Sequence, residues 1–204
     1  TKTTAGTAAD SISTSEPKLT ISTTSGTLTY DKRPPGAVDD GLQARFAVSA
    51  SVTLPTVYAG FRLADGSEEY EVEIRIGAAG TSIFDVVGSA PLATVSVLSA
   101  ADNEWLIAMK DGKCTVARRG WDPAIDRDWT VEVDGATIAR NTILAPADNR
   151  VIWGNDAATA SSDWYEMHFT TGTAVGRTIA AGFTNPDDLI GRDWAPPPLA
   201  ALIS

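Results

Sequence analysis

Cysteine and histidine are almost absent from this 204-residue chain, with Cys114 and His168 each standing alone. A single cysteine excludes an internal disulfide and leaves the redox compartment open. One cysteine and one histidine cannot close a zinc site. A lone histidine with no nucleophile motif nearby makes no Ser-His-Asp case, so His168 reads as structural or surface. Positive charge is also scarce. Sixteen Lys and Arg face 26 Asp and Glu, a net charge of -10, which argues against a phosphate backbone as partner. No apolar run approaches the roughly 18 residues of a membrane helix, so membrane insertion is not expected. A charged-then-apolar leader is missing as well, because the chain opens Thr1-Lys2-Thr3-Thr4-Ala5-Gly6. That opening, without an initiator Met, reads as a processed or excised segment.

What is present is a succession of short strand-like runs. Residues 1–16 are rich in Thr, Ser and Ala and are expected to be a linker, or an arm held by a neighbour. From Leu19 onward, β-branched and aromatic residues alternate with polar ones, broken by Gly, Pro, Asp and Asn. Leu42, Ala44, Phe46 and Val48 form one such set, and Val57, Ala59, Phe61 and Leu63 another. In a third, Tyr70, Val72, Ile74 and Ile76 stand opposite Glu69, Glu71, Glu73 and Arg75, one face for the core and one for water. Asp65-Gly66 and Asp111-Gly112 are hairpin signals, and Asp134-Gly135 is expected to close a further turn. No window carries a sustained helical stripe. About a dozen strands without crossover helices must pair antiparallel and stack as two sheets. The expected fold is therefore all-β, a two-sheet antiparallel sandwich or jelly roll over residues 17–184. Residues 185–204, with Pro196-Pro197-Pro198, read as a connector to a following module, so the 204 residues read as a piece of a longer chain.

Trp105 through Arg119 is a strand, a Gly turn and a returning strand. Trp129–Thr137, Arg150–Asp156 and Ser162–Phe169 follow it. This succession resembles the second half of concanavalin A-like, or laminin-G-like, jelly rolls. The segment Phe183-Thr-Asn-Pro-Asp-Asp-Leu-Ile-Gly-Arg-Asp-Trp-Ala-Pro-Pro-Pro resembles minor tail proteins of phages infecting actinobacteria. Together the resemblances span residues 20–195. They imply a non-enzymatic structural or adhesive module of a phage tail tip or fibre, on the outside of the virion. Its partners would be other tail proteins, copies of itself, and host-surface carbohydrate.

Four groups of residues are candidates for chemistry. Glu69, Glu71 and Glu73 share one strand face and are similar to the Glu-x-Asp-x-Glu strand of retaining jelly-roll glycoside hydrolases. A hydrolase using Glu69 and Glu73 is thus the alternative function, with Glu71 replacing the family's Asp. Charge on an exposed face is the commoner reading, and no catalysis is expected from it. Laminin-G-like domains often hold one calcium at a loop edge, which makes Asp39, Asp40, Asn155 and Asp156 the candidate ligands and calcium the one candidate cofactor. Among six tryptophans, Trp105, Trp129 and Trp164 fall within strand runs and are assigned to the core. Trp121 and Trp153 stand beside loops and are the candidate ligand-binding aromatics. Cys114 alternates with Val116 and is expected to be a small buried hydrophobe.

Overall fold

A computed structural model describes residues 1–13, 15, 18–34, 41–52, 57–64, 68–96, 102–121, 129–142, 148–156 and 159–171. These residues form fifteen strands and no helix. In chain order they are β1 (Lys2–Ala5), β2 (Ala8–Ser13), β3 (Lys18–Thr23), β4 (Thr27–Lys32), β5 (Leu42–Val52), β6 (Val57–Ala64), β7 (Glu68–Gly77) and β8 (Gly80–Asp85). Then follow β9 (Ala90–Val95), β10 (Asn103–Lys110), β11 (Lys113–Gly120), β12 (Thr130–Thr137), β13 (Asn141–Thr142), β14 (Arg150–Asn155) and β15 (Ala160–Thr171). All pairings are antiparallel. One sheet runs β1-β4-β14-β6-β7-β8-β9, with β13 pairing β7. The other, seven-stranded, runs β12-β11-β10-β5-β15-β3-β2. The chain is an all-β sandwich of jelly-roll type.

Period-two alternation is what divides each strand between core and surface. On β7, Tyr70, Val72, Ile74 and Ile76 are buried while the intervening Glu71, Glu73 and Arg75 are half-exposed. Phe46 of β5 sits between the sheets, 5.9 Å from the ring of Phe61 across the sandwich and 5.9 Å from Trp164 beside it. Burying such a side chain contributes about 1.5–3 kcal/mol, so this cluster is a major source of stability. Trp105 and Trp164 are in the core as expected, and Cys114 is fully buried there, its thiol pushed up by desolvation. Trp129 differs: it is half-buried beneath the guanidinium of Arg119, 4.4 Å from the ring centre.

Three local expectations need correction. Residues 2–13 are not a linker, since β1 pairs β4 and β2 pairs β3, extending one edge of each sheet. Their side chains are mostly exposed, and an edge strand needs only backbone hydrogen bonds, so a composition with little to bury concealed two strands. Asp134-Gly135 is not a turn but a bulge within β12. Gly135 there takes φ +57° and its N–H donates to Thr115 Oγ1 at 3.0 Å. Trp153 does not stand beside a loop but within β14, where a side chain on the following Gly154 would meet the Leu28 carbonyl of β4 at 2.3 Å. Asp111-Gly112 does join β10 to β11, both residues at positive φ as a two-residue hairpin demands. Asp65-Gly66 and residues 185–204 lie outside the described residues.

Candidate functional site on the outer face of the seven-stranded sheet

Alternation along β5 and β15 decides which side chains leave the core. Ala44, Phe46, Val48 and Ala50 point inward, so Arg45, Ala47, Ser49 and Ser51 face out. On β15 a bulge between Trp164 and Glu166 shifts the phase. Ser161, Asp163 and Tyr165 face out before it, Glu166 and His168 after it. The register places Asp163 between Ser49 and Thr20, and Ser161 between Ser51 and Ser22. Ser49, Ala50, Ser51, Ser161 and Asp163 line a pocket of about 170 Å³.

The pocket is ordered by its neighbours. The Thr20 hydroxyl donates to Asp163 Oδ1 at 2.6 Å, and Lys18 Nζ donates to Oδ2 at 3.1 Å. Two residues along, the Tyr165 hydroxyl donates to Asp102 Oδ1 at 3.2 Å. The Tyr165 ring stacks on Trp121, with centroids 6.0 Å apart and planes 28° apart. The Trp121 backbone is fixed as well, its main-chain N–H donating to the Asp102 carbonyl at 3.0 Å. Burial holds the Tyr165 phenol above its ordinary range, and the charges of Asp102 and Asp163 add to this against a hydrogen bond with Ser49. Hydroxyls, an oriented carboxylate and a pair of flat aromatic rings thus meet at one end of the face.

Further along the same face lies a charged cluster. Glu104 of β10 is 1% exposed and sits between Arg45 Nε and Arg119 Nε, the latter at 2.5 Å. Arg45 also reaches Glu166 Oε1 at 3.2 Å, and His168 Nε2 lies 3.5 Å from Glu166 Oε2. Desolvation pushes the Glu104 carboxyl up against the pull of Arg119 and Arg45. Burial acts the same way on Glu166 but is outweighed by His168, Arg45 and a hydrogen bond with Glu104, which leave it below its ordinary value. Two carboxyls shifted in opposite directions are the pattern of an acid–base pair. Here, however, both oxygens of Glu104 are held by arginines and its side chain is out of reach of solvent. The cluster ties β5, β10, β11 and β15 together.

The residues singled out from sequence are scattered. Trp121 belongs to this face. Trp153 does not: it is fully buried and stacked on Tyr30 at 5.6 Å, because β14 is a central strand whose odd positions point inward. Asn155 is also fully buried. Its amide donates to the Ile21 carbonyl at 3.1 Å and to the Ala160 carbonyl at 3.3 Å, and accepts from Ser162 Oγ at 2.6 Å. The Asn155 amide is occupied by this internal network. Asp156 is exposed, while Asp39 and Asp40 lie outside the described residues. No group of three or more His, Cys, Asp or Glu that could hold a metal occurs among the described residues.

Glu69, Glu71 and Glu73 do line up, on the outer face of the other sheet. Glu73 pairs with Arg75 at 2.7 Å and Glu69 with Arg62 at 3.9 Å, and Glu71 stands opposite Arg62 in the register. Desolvation and the flanking glutamates raise Glu71 against the pull of Arg62. Tyr165, Ser49, Ser51 and the Glu104 cluster were not found from sequence. Their only signal was outward alternation, and the bulge that sets Tyr165 and Glu166 side by side leaves no mark in composition.

No protein-family model matches the chain, and no curated protein matches it in sequence. Solved structures do match. The lumenal domain of VIP36 in its Ca²⁺/mannose-bound form is 9% identical with a TM-score of 0.50, covering 83% of this chain and 82% of that one. A mutant GH54 α-L-arabinofuranosidase soaked with 4-nitrophenyl α-L-arabinofuranoside is 11% identical with a TM-score of 0.50. It covers 75% of this chain, which spans only 37% of that enzyme. These similarities establish the concanavalin A-like jelly-roll sandwich as the fold of this chain.

Proposed function

We propose that the chain is a non-enzymatic module that binds carbohydrate on the outer face of the seven-stranded sheet, as part of a phage tail tip or fibre. One observation carries this reading: the Trp121–Tyr165 stack is tied, through the Tyr165–Ser49 hydrogen bond, to the hydroxyl- and carboxylate-lined pocket at Asp163. Sugars offer an apolar ring face and a rim of hydroxyls, and such a site supplies a partner for each. Against catalysis stands the state of the carboxylates. Glu69 and Glu73 are paired with arginines on the opposite face, and Glu104 is sealed between two more. The tail assignment rests on the resemblance of residues 183–198, with other tail proteins or copies of the chain as partners on the virion exterior.

The test is retardation of the purified protein in native gels containing mannan, arabinogalactan, alginate or chitosan, with reducing-end release assayed in parallel. At least one polymer should retard the wild type. Tyr165→Ala should weaken that retardation by about tenfold or more, the scale of one lost stacking contact. No sugar should be released. Failure of every polymer to bind would refute the binding reading, and release of reducing ends lost in Glu69→Gln or Glu73→Gln would restore the hydrolase.

A further inference from the structure

Resting on that reading of the Asp163 pocket, we propose that the pocket selects uncharged sugars presenting adjacent hydroxyls and rejects uronic acids and other anionic sugars. The argument is one of charge and of hydrogen-bond supply. Asp102 and Asp163 both face the Tyr165 end of the site, and Lys18 is the cation nearest Asp163. Lys18 is committed to Asp163, Arg45 to Glu104 and Glu166, and Arg119 to Glu104. Lys18, Arg45 and Arg119 thus each have a carboxylate partner already. A carboxylate-bearing sugar would therefore enter beside Asp163 with no cation left to receive it, and like charges at contact range repel.

Hydroxyl groups meet the opposite situation. Thr20 and Lys18 fix the plane of the Asp163 carboxylate and use one position on each oxygen. A carboxylate offers about four lone-pair positions, so two remain for donors. Adjacent sugar hydroxyls spaced to reach both oxygens supply those donors, in charge-assisted hydrogen bonds. Ser49, Ser51 and Ser161 can donate or accept and so complete the hydroxyl rim. Burial raises the Tyr165 phenol, and the charges of Asp102 and Asp163 add to this, in keeping with a negative field beside the pocket.

The experiment compares retardation by mannan and arabinogalactan with retardation by alginate and polygalacturonate, at low salt and at about 0.5 M salt. High salt screens repulsion by the whole acidic protein but leaves a contact interaction largely in place. A neutral polymer should bind at least about tenfold more tightly than either anionic one at both salt levels. Asp163→Asn should weaken neutral binding by about tenfold, and Ser51→Ala, at an exposed position outside the Lys18 pairing, by a few-fold. Alginate or polygalacturonate binding as tightly as the neutral polymers, and lost in Trp121→Ala, would overturn the charge selection while leaving the carbohydrate site standing. Full neutral binding in a folded Asp163→Asn protein would overturn it as well. No retardation by any polymer would overturn both readings together.

Discussion

Replacing Asn155 by alanine tests the most concentrated piece of polar packing in the sandwich. Asn155 belongs to β14 in one sheet, and its amide is bonded to Ile21, Ala160 and Ser162, all in the other. Ser162 Oγ in turn accepts from Trp164 Nε1 at 2.9 Å, so the network reaches the central tryptophan. Each buried hydrogen bond contributes about 1 kcal/mol net, and the lost amide leaves a small void besides. Asn155→Ala should therefore cost about 3 kcal/mol, a fall in Tm of about 6–12 °C for a domain of this size. Urea unfolding followed by tryptophan fluorescence measures the loss. A double-mutant cycle with Ser162→Ala should give a coupling of at least about 0.5 kcal/mol. The same loss is expected with and without a calcium chelator. A cost below about 1 kcal/mol would refute the inter-sheet role, and a cost seen only in calcium-loaded protein would return Asn155 to metal ligation.

Two further substitutions probe the corrected assignments. Trp153 Nε1 is buried and has no hydrogen-bond partner among the described residues, so Trp153→Phe forfeits packing alone. It should cost about 1–2 kcal/mol by thermal melting and leave polysaccharide retardation unchanged; weakened retardation at unchanged stability would return Trp153 to the ligand site. Glu71 is raised in the folded state by desolvation first, so its contribution to stability is complete below the unfolded value near 4.3 and is lost as pH rises through the folded value. Glu71→Gln should accordingly be equal to or up to about 1 kcal/mol more stable than wild type at pH 7, with the difference vanishing near pH 4. Urea midpoints at the two pH values decide it, and a marked destabilisation at pH 7 would show that the charged form is needed.

The fold was legible because alternation is a local property. Val57–Leu63 and Tyr70–Ile76 announce an inner and an outer face whatever they pair with, and both faces are where the alternation put them. The candidate site was not legible, because it depends on register between distant strands. Nothing in the sequence brings Asp163 beside Ser49, 114 positions away, or closes Glu104 between Arg45 and Arg119. Gly and Asn near a tryptophan were read as loop chemistry at Trp153-Gly154-Asn155. Yet Gly154 is required there by a close backbone approach and Asn155 by a buried network, two reasons that composition cannot separate from a turn. Residues 2–13 escaped for the converse reason, since edge strands are held by backbone groups that carry no sequence signature.

The strand order also fixes when the molecule can become whole. β14 lies between β4 and β6, and β15 between β3 and β5, so the last two strands of the described residues fill gaps in the middle of both sheets. A chain emerging from the ribosome must keep β3, β4, β5 and β6 apart, or paired wrongly, until residues 150–171 have been made. Neither half can close a core alone, and a cut before residue 171 removes interior pairing rather than a dispensable end. Such long-range closure is slow, and its unfinished state exposes four strand edges that invite association with other chains. Many copies of this chain synthesised close together would meet during that interval, when each is least protected against joining the wrong neighbour.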